Sequence, residues 1–208
     1  MRRGLRIALL ALAALAAGCS SFAPDKPVRP TLYDFGPGEV TATAAPGGTP
    51  LVMGDVEVSG SLEGSSLMYR LGYADPHQLR PYAYARWSAP PGELVQQRLR
   101  EWLGRDRPVL DASAAAALAR RSGTPPRVLR VELEEFSHFF DSTSESRGVL
   151  RLRCTLLENT AGGERLLAQR SFAVQRPAPS ADAAGGVRAL TAAVDAAAQD
   201  VAAWLQQR

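Results

Sequence analysis

Hydrophobic and polar residues alternate most regularly in the second half of the chain. Over 128–136, Leu129, Val131 and Leu133 take turns with Arg130, Glu132 and Glu134. Over 149–156, Leu150, Leu152, Cys154 and Leu156 take turns with Arg151, Arg153 and Thr155. A period of two marks a strand with one buried and one wet face. A third strand is predicted over 166–174, after the turn-forming Asn159-Thr160-Ala161-Gly162-Gly163. Together these read as an antiparallel meander. On its wet face Glu132 and Glu134 fall opposite Arg151 and Arg153 as cross-strand ion pairs, each worth roughly a few tenths of a kcal/mol.

Near the C-terminus the period changes. Val187, Leu190, Val194, Ala197, Val201 and Trp204 recur at steps of three and four, so 187–206 is predicted as an amphipathic helix lying on the sheet. A second helix is predicted over 92–103, with Leu94, Val95, Leu99, Trp102 and Leu103 on one side, Pro91 in its first turn and Gly104 as its stop. A third, alanine-rich helix starts from the N-cap Asp111, runs to 121 and is ended by Gly123 and Pro125-Pro126. Shorter strands are predicted at 31–35, 51–58, 67–73, 82–87 and 109–110. The stretch 36–50, rich in Gly, Pro, Ala and Thr, reads as a surface loop. The fold class is α+β: a single domain over 31–208, with an antiparallel or mixed β-sheet packed against amphipathic helices.

The N-terminus changes the picture. Arg2, Arg3 and Arg6 precede the apolar run 7–17, which leads to Ala16-Ala17-Gly18-Cys19. Eleven apolar residues are too few to cross a hydrocarbon core, which needs about 20 in a helix. The segment 1–18 therefore reads as a lipoprotein signal peptide, with Cys19 the lipidated first residue. Ala16 stands where Leu is commonest in such signals, and the alternative is a plain secretory signal with an incidental cysteine. Residues 19–30, with Pro24, Pro27 and Pro30, read as a lipidated tether.

The chain has 24 Lys+Arg against 21 Asp+Glu, and the three arginines of the signal account for the whole excess. The remainder is formally neutral, which removes the electrostatic case for nucleic acid. With Cys19 acylated, Cys154 is the sole remaining thiol, so no intramolecular disulfide forms.

Signs of catalysis are few. His77 and His138 stand in unlike contexts, and neither belongs to an H-x-x-x-H or H-E-x-x-H pattern, so no metal site is expected. Neither a G-x-S-x-G elbow nor a phosphate-binding loop is present. Cys154 alternates with leucines and reads as a small core residue. Two aromatic segments with arginine stand out. Tyr69 and Arg70 form one, and Tyr82, Tyr84, Arg86 and Trp87 form the other. Tyr, Trp and Arg anchor protein interfaces, yet the same residues pack ordinary sheets. Interface and core both remain open for them.

The order of Leu32-Tyr33-Asp34-Phe35-Gly36, Met68-Tyr69-Arg70, the aromatic segment 82–87 and Pro90-Pro91 before a helix resembles the ABC-type transport auxiliary lipoproteins. Leu129-Arg130-Val131-Glu132-Leu133, 166–172 and the alanine-rich end at Trp204-Leu205 agree with it. The resemblance implies a non-enzymatic component of an ABC/MCE-type lipid transport system in the bacterial envelope. It implies anchoring at the outer membrane, facing the periplasm, with an MCE-domain protein as partner. It also leaves open a homo-oligomer. The only prosthetic chemistry implied is the covalent diacylglycerol and fatty acyl chain on Cys19. Ser20 after that cysteine fits outer-membrane sorting. Two other functions stay open: a different envelope-assembly or cell-wall lipoprotein, and a periplasmic hydrolase.

Overall fold

The computed structural model of the chain describes residues 28–38, 47–123 and 125–208. Cys19, the signal segment, most of the tether and part of the 36–50 loop lie outside the described residues. Among the described residues there are nine strands and three α-helices. In chain order they are β1 (Thr31–Tyr33), β2 (Leu51–Met53), β3 (Glu57–Val58), β4 (Ser66–Leu71), β5 (Asp75–Trp87), α1 (Pro91–Leu103), β6 (Val109–Leu110), α2 (Ala112–Ser122), β7 (Arg127–Phe140), β8 (Ser146–Thr160), β9 (Gly163–Pro177) and α3 (Ala183–Gln206). No helix among the described residues is long and apolar enough to cross a membrane.

The sheet is mixed, and β7 is its spine. Antiparallel β8 runs along one whole edge of β7, and β9 runs antiparallel beyond β8. The other edge of β7 is occupied in succession by three short parallel strands: β2 at Arg127–Leu129, β3 at Glu132–Leu133 and β4 at His138–Phe140. Beyond them, β6 pairs with β2, β5 with β4, and β1 with β5. The predicted strand over 51–58 is thus two strands meeting β7 at different heights. The predicted strand over 67–73 stops at Leu71, and residues 72–74 make the turn into β5.

The predicted meander is present and longer than its alternation. A bulge at Glu134 explains one irregularity: Leu133 pairs with Leu152, and Glu135 with Arg151. The extra residue leaves Glu134 and Glu135 both on the wet side and returns Phe136 to the core.

The six apolar positions predicted for α3 are all buried, and the helix packs on β8, β9 and β7, with α1 against its flank. It starts four residues earlier than the apolar stripe because Asp182 caps it, accepting the Gly185 N–H at 2.7 Å. Two glycines set how closely it approaches the sheet. A Cβ on Gly148 would lie 2.6 Å from the Leu190 nitrogen, and one on Gly186 would lie 2.4 Å from Nδ1 of His138. The cap at Asp111 also forms, through the Ala114 N–H at 2.8 Å, and α2 ends at Gly123 with φ +70°.

Candidate functional site

The two aromatic segments separate into an inner and an outer set. Trp87 is 1% exposed, and its ring sits 5.5 Å from Phe35 and 5.4 Å from Phe136. That corrects its candidacy as a partner-binding residue, because a side chain inside the core offers no surface to a partner. On alternate positions of the same strand, Tyr84 is 64% exposed and Arg86 points outward. Arg86 lies in register with Leu32 of β1, which is also 64% exposed. Leu32, Tyr84 and Arg86 therefore make an outward patch near the point where the described chain begins.

Tyr69 and Tyr82 are half-buried and belong to an internal cluster. Their rings are 4.7 Å apart, and Tyr69 meets Phe140 at 6.0 Å. The Tyr82 hydroxyl hydrogen-bonds Nδ1 of His138 at 2.8 Å, and the His138 ring meets Phe140 at 4.4 Å, tilted by 43°. His138 is fully buried, and among the described residues its Nε2 has no hydrogen-bond partner. Burial pushes its pKa down to about 4, against a smaller opposing pull from Asp182, so the ring is neutral. Burial likewise drives the Tyr82 phenol well above its usual range, with the neighbouring Tyr69 and Asp182 adding to the rise. The Asp182 carboxyl is held low by the Gly185 N–H and the Ser180 hydroxyl. A histidine closed off from solvent cannot reach a substrate proton, so this cluster is packing rather than acid–base machinery.

Arg70 is tied down as well. Its guanidinium forms a two-pronged pair with Glu135, both contacts at 3.2 Å, and donates to the carbonyls of Pro76 (3.2 Å) and His77 (3.4 Å). The same sheet face carries the predicted cross-strand pairs. Arg151 meets Glu134 at 2.7 Å, Arg153 also meets Glu134, and Arg153 meets Glu132 at 3.5 Å. Cys154 is fully buried, and burial pushes its thiol up to about 12, which leaves it inert. Among the described residues, no group of three His, Cys, Asp or Glu side chains is placed to hold a metal ion.

One feature escaped the sequence. Between α2 and the sheet lies a cavity of about 570 Å³, walled by Ala112, Ala115, Ala116 and Ala119 and floored by Val52 and Val128. The 112/115/116/119 spacing is a helical stripe, but an alanine-rich helix does not reveal in sequence whether that stripe is filled or left open.

A family model described as ABC-type transport auxiliary lipoprotein component matches residues 31–202. The chain belongs to that family. As an auxiliary lipoprotein component, it stands in a family of the bacterial envelope that is not a known enzyme family. Its fold is similar to that of a Xanthomonas campestris protein of the DUF330 family, with 19% identity and a TM-score of 0.63 over 84% of this chain and 94% of that one. A second solved structure, of an uncharacterized protein, is 16% identical with a TM-score of 0.59, covering 85% of this chain and 99% of its own. At these identities the likeness is one of fold. No curated protein matches the sequence.

Proposed function

We propose that this auxiliary lipoprotein is anchored in the outer membrane through lipids on Cys19 and docks an MCE-domain protein of an ABC lipid transporter from the periplasmic side. The observation that carries this is the family match over 31–202, which spans nearly the whole globular region. The sequence Ala16-Ala17-Gly18-Cys19-Ser20 supports the anchor, and multiple acyl chains supply the binding that a single chain gives only marginally. Residues 19–30 then act as a tether to the domain at 31–208, raising its effective concentration near the membrane. The role is non-enzymatic. The outward patch of Leu32, Tyr84 and Arg86 lies at the tethered end of the sheet and supports a contact surface there.

The test is co-purification from crosslinked envelopes. The wild-type chain is expected to bring down an MCE-domain protein, and Tyr84→Ala with Arg86→Ala to reduce its recovery while the fold persists. Failure to recover any such protein from crosslinked envelopes would contradict the docking role.

A further inference from the structure

The cavity beneath α2 is one end of a continuous apolar row. Direct registers connect Leu110 on β6 to Val52 on β2, Val52 to Val128 on β7, Val128 to Leu157 on β8, and Leu157 to Leu166 on β9. Residues in register on neighbouring strands point to the same side, so these five side chains form a band across the sheet. At a strand spacing of about 4.8 Å, the band is roughly 19 Å wide. It lies on the face opposite α3, since Val52 and Leu157 are buried without joining the main core cluster. Its β6 end lies beneath α2, and its β9 end is Leu166, 60% exposed.

Over Val52 and Val128 the helix side of the wall consists of alanines, with Pro125 and Pro126 beside them, and alanines leave space that larger residues would close. Helix α2 contributes one well-buried residue, Ala115. The opening is acidic. Asp55 and Glu57 are exposed at its edge, and among the described residues neither forms an ion pair, Asp55 accepting only the Gln96 amide at 3.2 Å. The cation at the opening, Arg130, is already held by both oxygens of Glu164 at 2.8 Å. An anionic head group would meet two unpaired carboxylates there, whereas a cation would complete them.

We propose that this groove seats an aliphatic, lysine- or arginine-bearing segment of a partner polypeptide. Its apolar side chains would lie over Val52 and Val128, and its cations against Asp55 and Glu57. The inference rests on the reading that the chain binds a protein partner, and adds where that partner enters and what it carries. Leucine or isoleucine side chains match the apolar floor, and the flanking cations fix orientation.

The experiment uses the full chain in phosphatidylcholine nanodiscs and a fluorescein-labelled leucine/lysine peptide, beside a leucine/glutamate peptide of the same spacing. The leucine/lysine peptide is expected to bind about tenfold or more tightly than its acidic counterpart. Ala116→Trp fills the groove from an exposed helix position and is expected to remove that binding. Asp55→Lys with Glu57→Lys is expected to reverse the preference. Both variants alter exposed residues, so an unchanged melting curve confirms the fold. Equal binding of the two peptides, or binding that survives both variants, overturns the proposal. Displacement of the leucine/lysine peptide by phosphatidylglycerol, beyond the peptide taken up by phosphatidylglycerol nanodiscs that carry no protein, also overturns it and identifies an anionic lipid as the occupant. An MCE-domain protein still captured by both variants would leave the docking role standing and this groove assignment overturned.

Discussion

Tyr82 and His138, fifty-six residues apart, are joined by a 2.8 Å hydrogen bond that locks β5 onto the spine strand beneath the first turns of α3. The burial of that histidine makes the stability depend on pH. In the unfolded chain the imidazole takes up a proton near 6.5, whereas burial lowers that to about 4 in the fold. Between those values the unfolded state binds more protons. The contribution is therefore full above about pH 6.5 and is lost as the pH falls towards 4, amounting to about 3 kcal/mol. Denaturant titrations across that range measure it. His138→Leu should flatten the dependence, and Tyr82→Phe should leave it in place.

The contact between Gly186 and His138 predicts a steric coupling. A methyl group on residue 186 would lie 2.4 Å from Nδ1, so Gly186→Ala should cost about 1–3 kcal/mol through overpacking. Adding His138→Ala opens that space. The double variant should therefore be less destabilised than the sum of the two single changes, which a thermodynamic cycle reads directly.

Trp87 and its strand neighbours should behave oppositely. Trp87→Ala removes a ring packed between Phe35 and Phe136 and should cost about 3–5 kcal/mol, seen as a large fall in the denaturation midpoint. Tyr84→Ala and Arg86→Ala change exposed side chains and should each stay within about 0.5 kcal/mol of wild type. Loss of partner binding on their substitution would then belong to the surface and not to the fold.

Glu134 accepts from two arginines on the wet face, Arg151 and Arg153. Glu134→Ala should cost about 0.5–1 kcal/mol at low salt, with the difference shrinking as salt rises, since exposed pairs are screened. A salt series on the wild type and the variant checks this.

Much of this architecture was legible in the sequence because it depends on local periodicity. The alternation around Leu129–Leu133 and Leu150–Leu156, the stripe along α3 and the cap at Asp111 are each written within a few neighbouring residues. The bulge left a faint sign, the step from odd apolar positions at Val131 and Leu133 to the even Phe136. The split of 51–58 into β2 and β3 was not legible, because it follows from which part of β7 each piece meets. The aromatic segments were ambiguous for a physical reason: Trp87 and Tyr84 share one strand, and only the sheet's packing decides which side is covered. His138 carries no motif in the sequence, and its burial needs both Gly186 and Tyr82, far away along the chain. The groove beneath α2 arises from how closely an alanine helix approaches the sheet, a distance that periodicity does not specify.

The proposed docking role requires that lipids on Cys19 hold this domain at the outer membrane. The most direct measurement is labelling of growing cells with tritiated palmitate, followed by separation of the two membranes. Label is expected on the wild-type chain in the outer-membrane fraction and none on Cys19→Ala. A wild-type chain without label, released freely soluble by osmotic shock, would contradict it.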